Sequence, residues 1–156
     1  MDKSYETAYA EDRRKVADEK VTLEELKDQA QRLCTMVTTV LDAHLLQVQQ
    51  DTLKLINRKT EYVSQTEDQM TRADDETCSR VQEQLNLYCG DMDSLIHDQQ
   101  EYAVGLASAI NIVKDIKKDI AAAADKDAVM ACVKSIHEKT KFAYIFSNRT
   151  KEAKHE

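Results

Sequence analysis

Proline and tryptophan are absent from this 156-residue chain, and only 2 glycines interrupt it. Strands and tight turns depend on such punctuation, so its scarcity points to an all-α protein. Aromatic residues are few, at 5%, while charged residues reach 33%, which suits solvated helices better than a thick globular core. No apolar run approaches the roughly 18 residues of a membrane span. The start, MDKSYETAY, has no apolar signal core. An intracellular location, cytoplasmic or nuclear, is the expectation. The net charge of −7 argues against a general grip on nucleic acid. The four cysteines, Cys34, Cys78, Cys89 and Cys132, have no C-x₂-C spacing, and the four histidines are scattered. Zinc-ribbon chemistry is thereby excluded, and reduced, semi-buried thiols are expected. A glycine-rich phosphate loop, a nucleophile elbow and an H-E-x-x-H pair are all missing, so no enzyme chemistry and no cofactor are expected.

What the chain does have is a stripe. From Leu23 to Ile120, apolar or small residues return every three or four positions beside charged faces. Such a pattern marks a coiled-coil or bundle helix. Thr22, with Glu25 three residues later, forms a capping box at its start. The steps follow heptads from Leu23 to Val37. Positions Val37, Val48, Lys59, Met70, Val81 and Met92 then lie 11 apart, and heptads resume to Ile120. Heptads impose a left-handed supercoil, whereas an 11-residue repeat is nearly straight. The pattern predicts one long helix over 21–122, with a seam that another helix must cover. The seam residues expected to form a dimer interface are Leu33, Val37, Val40, Val48, Leu55, Tyr62, Met70, Ala73, Val81, Leu85, Tyr88, Met92 and Leu95. Gly90 and Gly105 each cost about 1 kcal/mol relative to alanine in a helix interior. Neither has a second breaker beside it, so the helix is read through both, with Gly90 the first place where a kink is expected if the helix bends. The weak core positions Thr52, Lys59, Thr66 and Thr77 make the middle the least apolar part of the stripe, where a local break would also fall.

Charge gives this helix a preferred direction of pairing. With the 11-residue block centred near residue 64 or 65, an antiparallel partner places Asp74, Asp75 and Glu76 close to Lys54, Arg58 and Lys59. A parallel partner sets the acidic cluster against its own copy, which is unfavourable. Each exposed pair contributes only about 0.2–1 kcal/mol, but several together decide the orientation.

After Ile120 the phase fails, because continued heptads would bury Asp127, Lys134 and His137. A new stripe begins at Val129, with Asp125 or Asp127 as its cap. A return helix over 126–146 is therefore expected, with Val129, Val133 and Ile136 packing on Leu106, Val113, Ile116 and Ile120. The run from Phe142 to Phe146 is too apolar for one neighbour to cover. Phe142, Tyr144 and Phe146 form a candidate partner patch. Residues 1–20 read as a flexible or helical lead-in, and 147–156 as a frayed tail. Asp93, His97 and Glu101 share one helix face, as half of a carboxylate metal site would. A solvated face is the stronger reading, since no Glu-x-x-His motif occurs. His44 beside the seam reads as a tolerated polar layer.

The stretches QQEYAVGLASAINIVKDIKKDI and DKDAVMACVKSIHEKTK look like the end of a long helix and the start of a return helix. Together with the heptad–hendecad–heptad layout, they resemble the coiled-coil region of tripartite-motif (RING, B-box, coiled-coil) proteins over residues 23–146. The resemblance implies an elongated antiparallel coiled-coil homodimer whose short helices fold back. Its role would be a non-catalytic scaffold that spaces and orients attached domains, with other protein domains as partners. This chain lacks the zinc pattern of a RING or B-box, so any ligase activity would reside outside it. The alternative is an intramolecular helical bundle, of the spectrin-repeat or adaptor kind, that turns near 70–76 and 90 and serves as a protein-interaction module.

Overall fold

The computed structural model describes residues 21–155, with side chains over 21–142. These residues form three helices: α1 (Leu23–Met70), α2 (Asp75–Ala122) and α3 (Lys126–His155). The all-α class follows directly from a chain with almost no turn residues. The single helix expected over 21–122 is instead two helices of 48 residues each. The break falls at residues 71–74, in the weakest part of the stripe. Gly90 does not bend the chain and sits inside α2.

The interruption has a local cause. Past Met70 the ladder tightens, and Arg72 and Ala73 donate to the carbonyls of Gln69 and Met70, three residues back. Three-residue bonds of this kind close a helix end. Asp74 then caps α2, its carboxylate accepting from the Thr77 backbone N–H at 2.8 Å. Hydrogen bonds from the Thr77 side chain and backbone hold the Asp74 carboxyl below its ordinary range. Asp75 and Glu76 occupy the first turn of α2, where negative charge suits the helix dipole. The acidic cluster thus serves a helix start. The thiol of Cys78 fastens the turn by donating to the Met70 carbonyl at 3.1 Å. At the other helix starts, the Glu25 N–H donates to Thr22 Oγ1 at 3.1 Å, and the Ala128 N–H donates to Asp125 Oδ1 at 2.8 Å.

Two compact units share these helices: residues 21–38 with 112–155, and residues 39–111. In the first, three helical segments meet around Leu26, Ala30 and Cys34 of α1, Val113, Ile116 and Ile120 of α2, and Val129 and Ile136 of α3. Buried Thr140 returns its hydroxyl to the Ile136 carbonyl at 2.8 Å. Lys27 donates to the Ala121 carbonyl at 3.1 Å, and Lys117 to Thr35 Oγ1 at 3.0 Å.

The second unit holds two helical segments only. Within it α1 and α2 run antiparallel, because His44 meets Tyr102, Lys59 meets Asp93 and Tyr62 meets Tyr88. Its seam is built from Leu41, Val48, Thr52 and Thr66 on α1 and Leu85, Met92, Ile96, Tyr102, Leu106 and Ala109 on α2. Thr52 fills a seam position without stranding a polar atom, because its hydroxyl bonds the Val48 carbonyl at 2.7 Å.

Candidate interaction surface

The expected dimer seam divides when placed on the structure. Val48, Leu85 and Met92 are buried within this one chain. Val37, Leu55, Met70, Ala73, Val81 and Tyr88 are half-buried. Leu33, Val40, Tyr62 and Leu95 are exposed. Leu95 departs from the expectation because α2 takes a four-residue step at Met92, so Ile96 enters the seam and Leu95 stays 51% exposed. Of the residues expected to pack the return helix, Val113, Ile116, Ile120, Val129 and Ile136 are buried in the first unit, and Val133 is half-buried there. Leu106 is fully buried but belongs to the second unit. Phe142 is exposed, whereas the side chains of Tyr144 and Phe146 lie outside the described residues.

Polar contacts give the two-helix unit its register. The Tyr102 hydroxyl lies 3.2 Å from His44 Nε2, with the rings edge to face. Burial pushes the Tyr102 phenol up, so it stays protonated and able to donate. Tyr62 and Tyr88 stack at a ring separation of 4.1 Å. Lys59 and Asp93 form an ion pair at 2.5 Å, and the hydrogen bond to Asp93 holds the ammonium above its ordinary range. A lysine on the seam is thereby neutralised at the rim.

One face of this unit carries an apolar groove. A hollow of about 340 Å³ is lined by Gln49, Thr52, Leu53 and Ile56 on α1 and Gln100, Ala103 and Val104 on α2. A second, of about 550 Å³, shares Ile56 and continues past Lys59, Val63, Cys89, Asp93 and Ile96. The paired Lys59 and Asp93 are the charged residues among these, so the groove presents a nearly neutral wall. Leu46, Leu53 and Val104 are more than half exposed, and Ile56 lies at 36%. Sequence reasoning missed these four. Their signal was a second stripe, Leu46, Gln49, Leu53, Ile56, Thr60 and Val63, which recurs every three or four residues beside the first.

Asp93 is committed to Lys59, and His97 pairs with Glu101 at 3.1 Å on the surface. Among the described residues, no three His, Cys, Asp or Glu side chains gather as metal ligands. All four cysteines are free, and burial pushes the thiols of Cys34 and Cys132 up. No helix among the described residues is long and apolar enough to cross a membrane. Comparison with known proteins gave no matching family model, no matching curated protein and no matching solved structure.

Proposed function

We propose that the chain is a non-catalytic helical scaffold that assembles with a second copy of itself and so spaces and orients attached protein domains. This is the role that the likeness to tripartite-motif coiled coils implies. The observation that carries it is the apolar stripe left in water on residues 39–111. Leu53, Ile56 and Val104 line one groove there, and Leu46, seven residues before Leu53 on α1, is also exposed. Large apolar side chains grouped on one exposed face are the kind of surface that a partner covers. A groove between two helices, apolar and nearly neutral, has the form that accepts the apolar face of a third. The same proposal gives the chain an intracellular setting and partners that are proteins.

A second reading has its own support. Val48, Leu85 and Met92 are satisfied within one chain, so a self-contained bundle could present the groove to unrelated partners. Solution mass separates the two. Light scattering across a concentration series should give twice 17.8 kDa for the self-assembling scaffold. A mass of 17.8 kDa at every concentration would leave the self-contained bundle and remove the homodimer.

A further inference from the structure

Two of the four cysteines belong to the core of the first unit. On α1, Cys34 is fully buried and follows Leu26 and Ala30 along the core stripe at steps of four. On α3, Cys132 is half-buried, three residues after buried Val129 and four before buried Ile136. Both thiols therefore lie on the stripes that face the centre of the unit.

The polar contacts put them at one level. Lys27 reaches Ala121 and Lys117 reaches Thr35, so residue numbers across α1 and α2 add to 148 and 152. Residues 123–125 join α2 to α3 as a short antiparallel hairpin, in which numbers at one level add to about 248. Within the unit α3 thus runs parallel to α1 at an offset of about 98 residues. Cys34 and Cys132 are 98 apart. A charge on Cys132 is also felt at the Cys34 sulfur. Packed helix axes lie about 8–10 Å apart, with each Cα about 2.3 Å from its axis, so inward-facing Cα atoms come to about 3.5–5.5 Å. A disulfide spans Cα atoms about 4.4–6.8 Å apart.

The surroundings give the two thiols different parts. Cys132 is the one an oxidant reaches, because Cys34 is closed off from solvent. The Lys117 ammonium, held on Thr35 Oγ1 at 3.0 Å, favours a thiolate at Cys34. Burial pushes both thiols up, so the resting pair is protonated and reduced.

We propose that Cys34 and Cys132 are an oxidation site, which a hydroperoxide converts into a disulfide tying α3 to α1. With hydrogen peroxide, the Cys132 sulfur attacks one oxygen, the O–O bond breaks, and the other oxygen leaves as water with the thiol proton. The Cys34 sulfur then forms the S–S bond by displacing hydroxide from the Cys132 sulfenic acid, which leaves as a second water with the Cys34 proton. Two thiols lose two electrons, and the peroxide gains them. The inference goes beyond the scaffold reading and does not depend on it. It uses a pair of thiols within one unit, whatever the number of copies in solution.

The test uses the full chain, reduced and then exposed to hydrogen peroxide. After alkylation and proteolysis, mass spectrometry should find the peptides of Cys34 and Cys132 joined. The disulfide closes a long loop, so Tm by circular dichroism should rise by about 10 °C and fall back on reduction. Cys132→Ser and Cys34→Ala should each abolish the link and the rise. Cys78→Ser/Cys89→Ser should keep both, even if one of the core variants folds poorly. A link from Cys132 to any other cysteine, a Cys132 sulfinic acid with Cys34 still free, or a Tm unmoved by the link would overturn the proposal.

Discussion

Leu85 and Leu87 sit two positions apart on α2 and share one residue type. Leu85 is 5% exposed, whereas Leu87 is 68% exposed. Alanine substitution changes intrinsic helix propensity equally at both, so the difference between them isolates packing. Leu85→Ala removes about three carbons from water-free contact, or about 2.4 kcal/mol at 0.8 kcal/mol per methylene. Incomplete collapse of the space adds up to about 2 kcal/mol more. Leu87→Ala should stay within about 0.5 kcal/mol of the wild type. At about 2–4 °C per kcal/mol for a chain of this size, Leu85→Ala should lower Tm by about 5–15 °C, with Leu87→Ala nearly unmoved. Circular dichroism at 222 nm during thermal and urea unfolding measures both. Equal shifts, or a larger loss at Leu87, would refute the assignment of Leu85 to the seam.

Other consequences follow from single sites. A Cβ at Gly90 would meet nothing within 4 Å, so Gly90→Ala should stabilise the chain by about 0.5–1 kcal/mol, read as a higher urea midpoint. The Asp74 carboxyl lies below its ordinary range when folded. Its stabilisation is therefore complete above about pH 4, the range of a free carboxylate, and is lost as pH falls through the lower folded value. Urea midpoints between pH 2 and 6 should show that acid loss shrink in Asp74→Asn, and an unchanged profile would contradict the cap. Cys34 is fully buried with its thiol pushed up, so a thiol reagent at neutral pH should modify it far more slowly than Cys78 or Cys89. Mapping the modified peptides by mass spectrometry checks this.

Much of the architecture was legible because helices need little beyond spacing. The absence of proline and the spacing of Val48, Leu85, Met92, Val113 and Ile120 point to helices with one buried stripe. The reversal at 71–74 was harder to see, since Thr71, Arg72 and Ala73 are ordinary helix residues and the stripe runs through them. Its trace was Asp74 with Thr77 three residues on, an N-cap pattern inside what looked like a charge cluster. Which of two neighbouring apolar residues enters the seam, Leu95 or Ile96, turns on one four-residue step. Periodicity places such a step only to within a residue. The groove was hidden for a related reason: a stripe indexed at one residue per turn leaves Leu53, Ile56 and Val104 unassigned, although they are as apolar as those chosen.

The most direct test of the account is whether the exposed groove holds the second copy. Leu53 and Val104 are more than half exposed in one chain, so Leu53→Lys with Val104→Lys should leave the helical signal at 222 nm unchanged and lower the solution mass from twice 17.8 kDa to 17.8 kDa. A variant that folds and stays dimeric would contradict assembly through the groove.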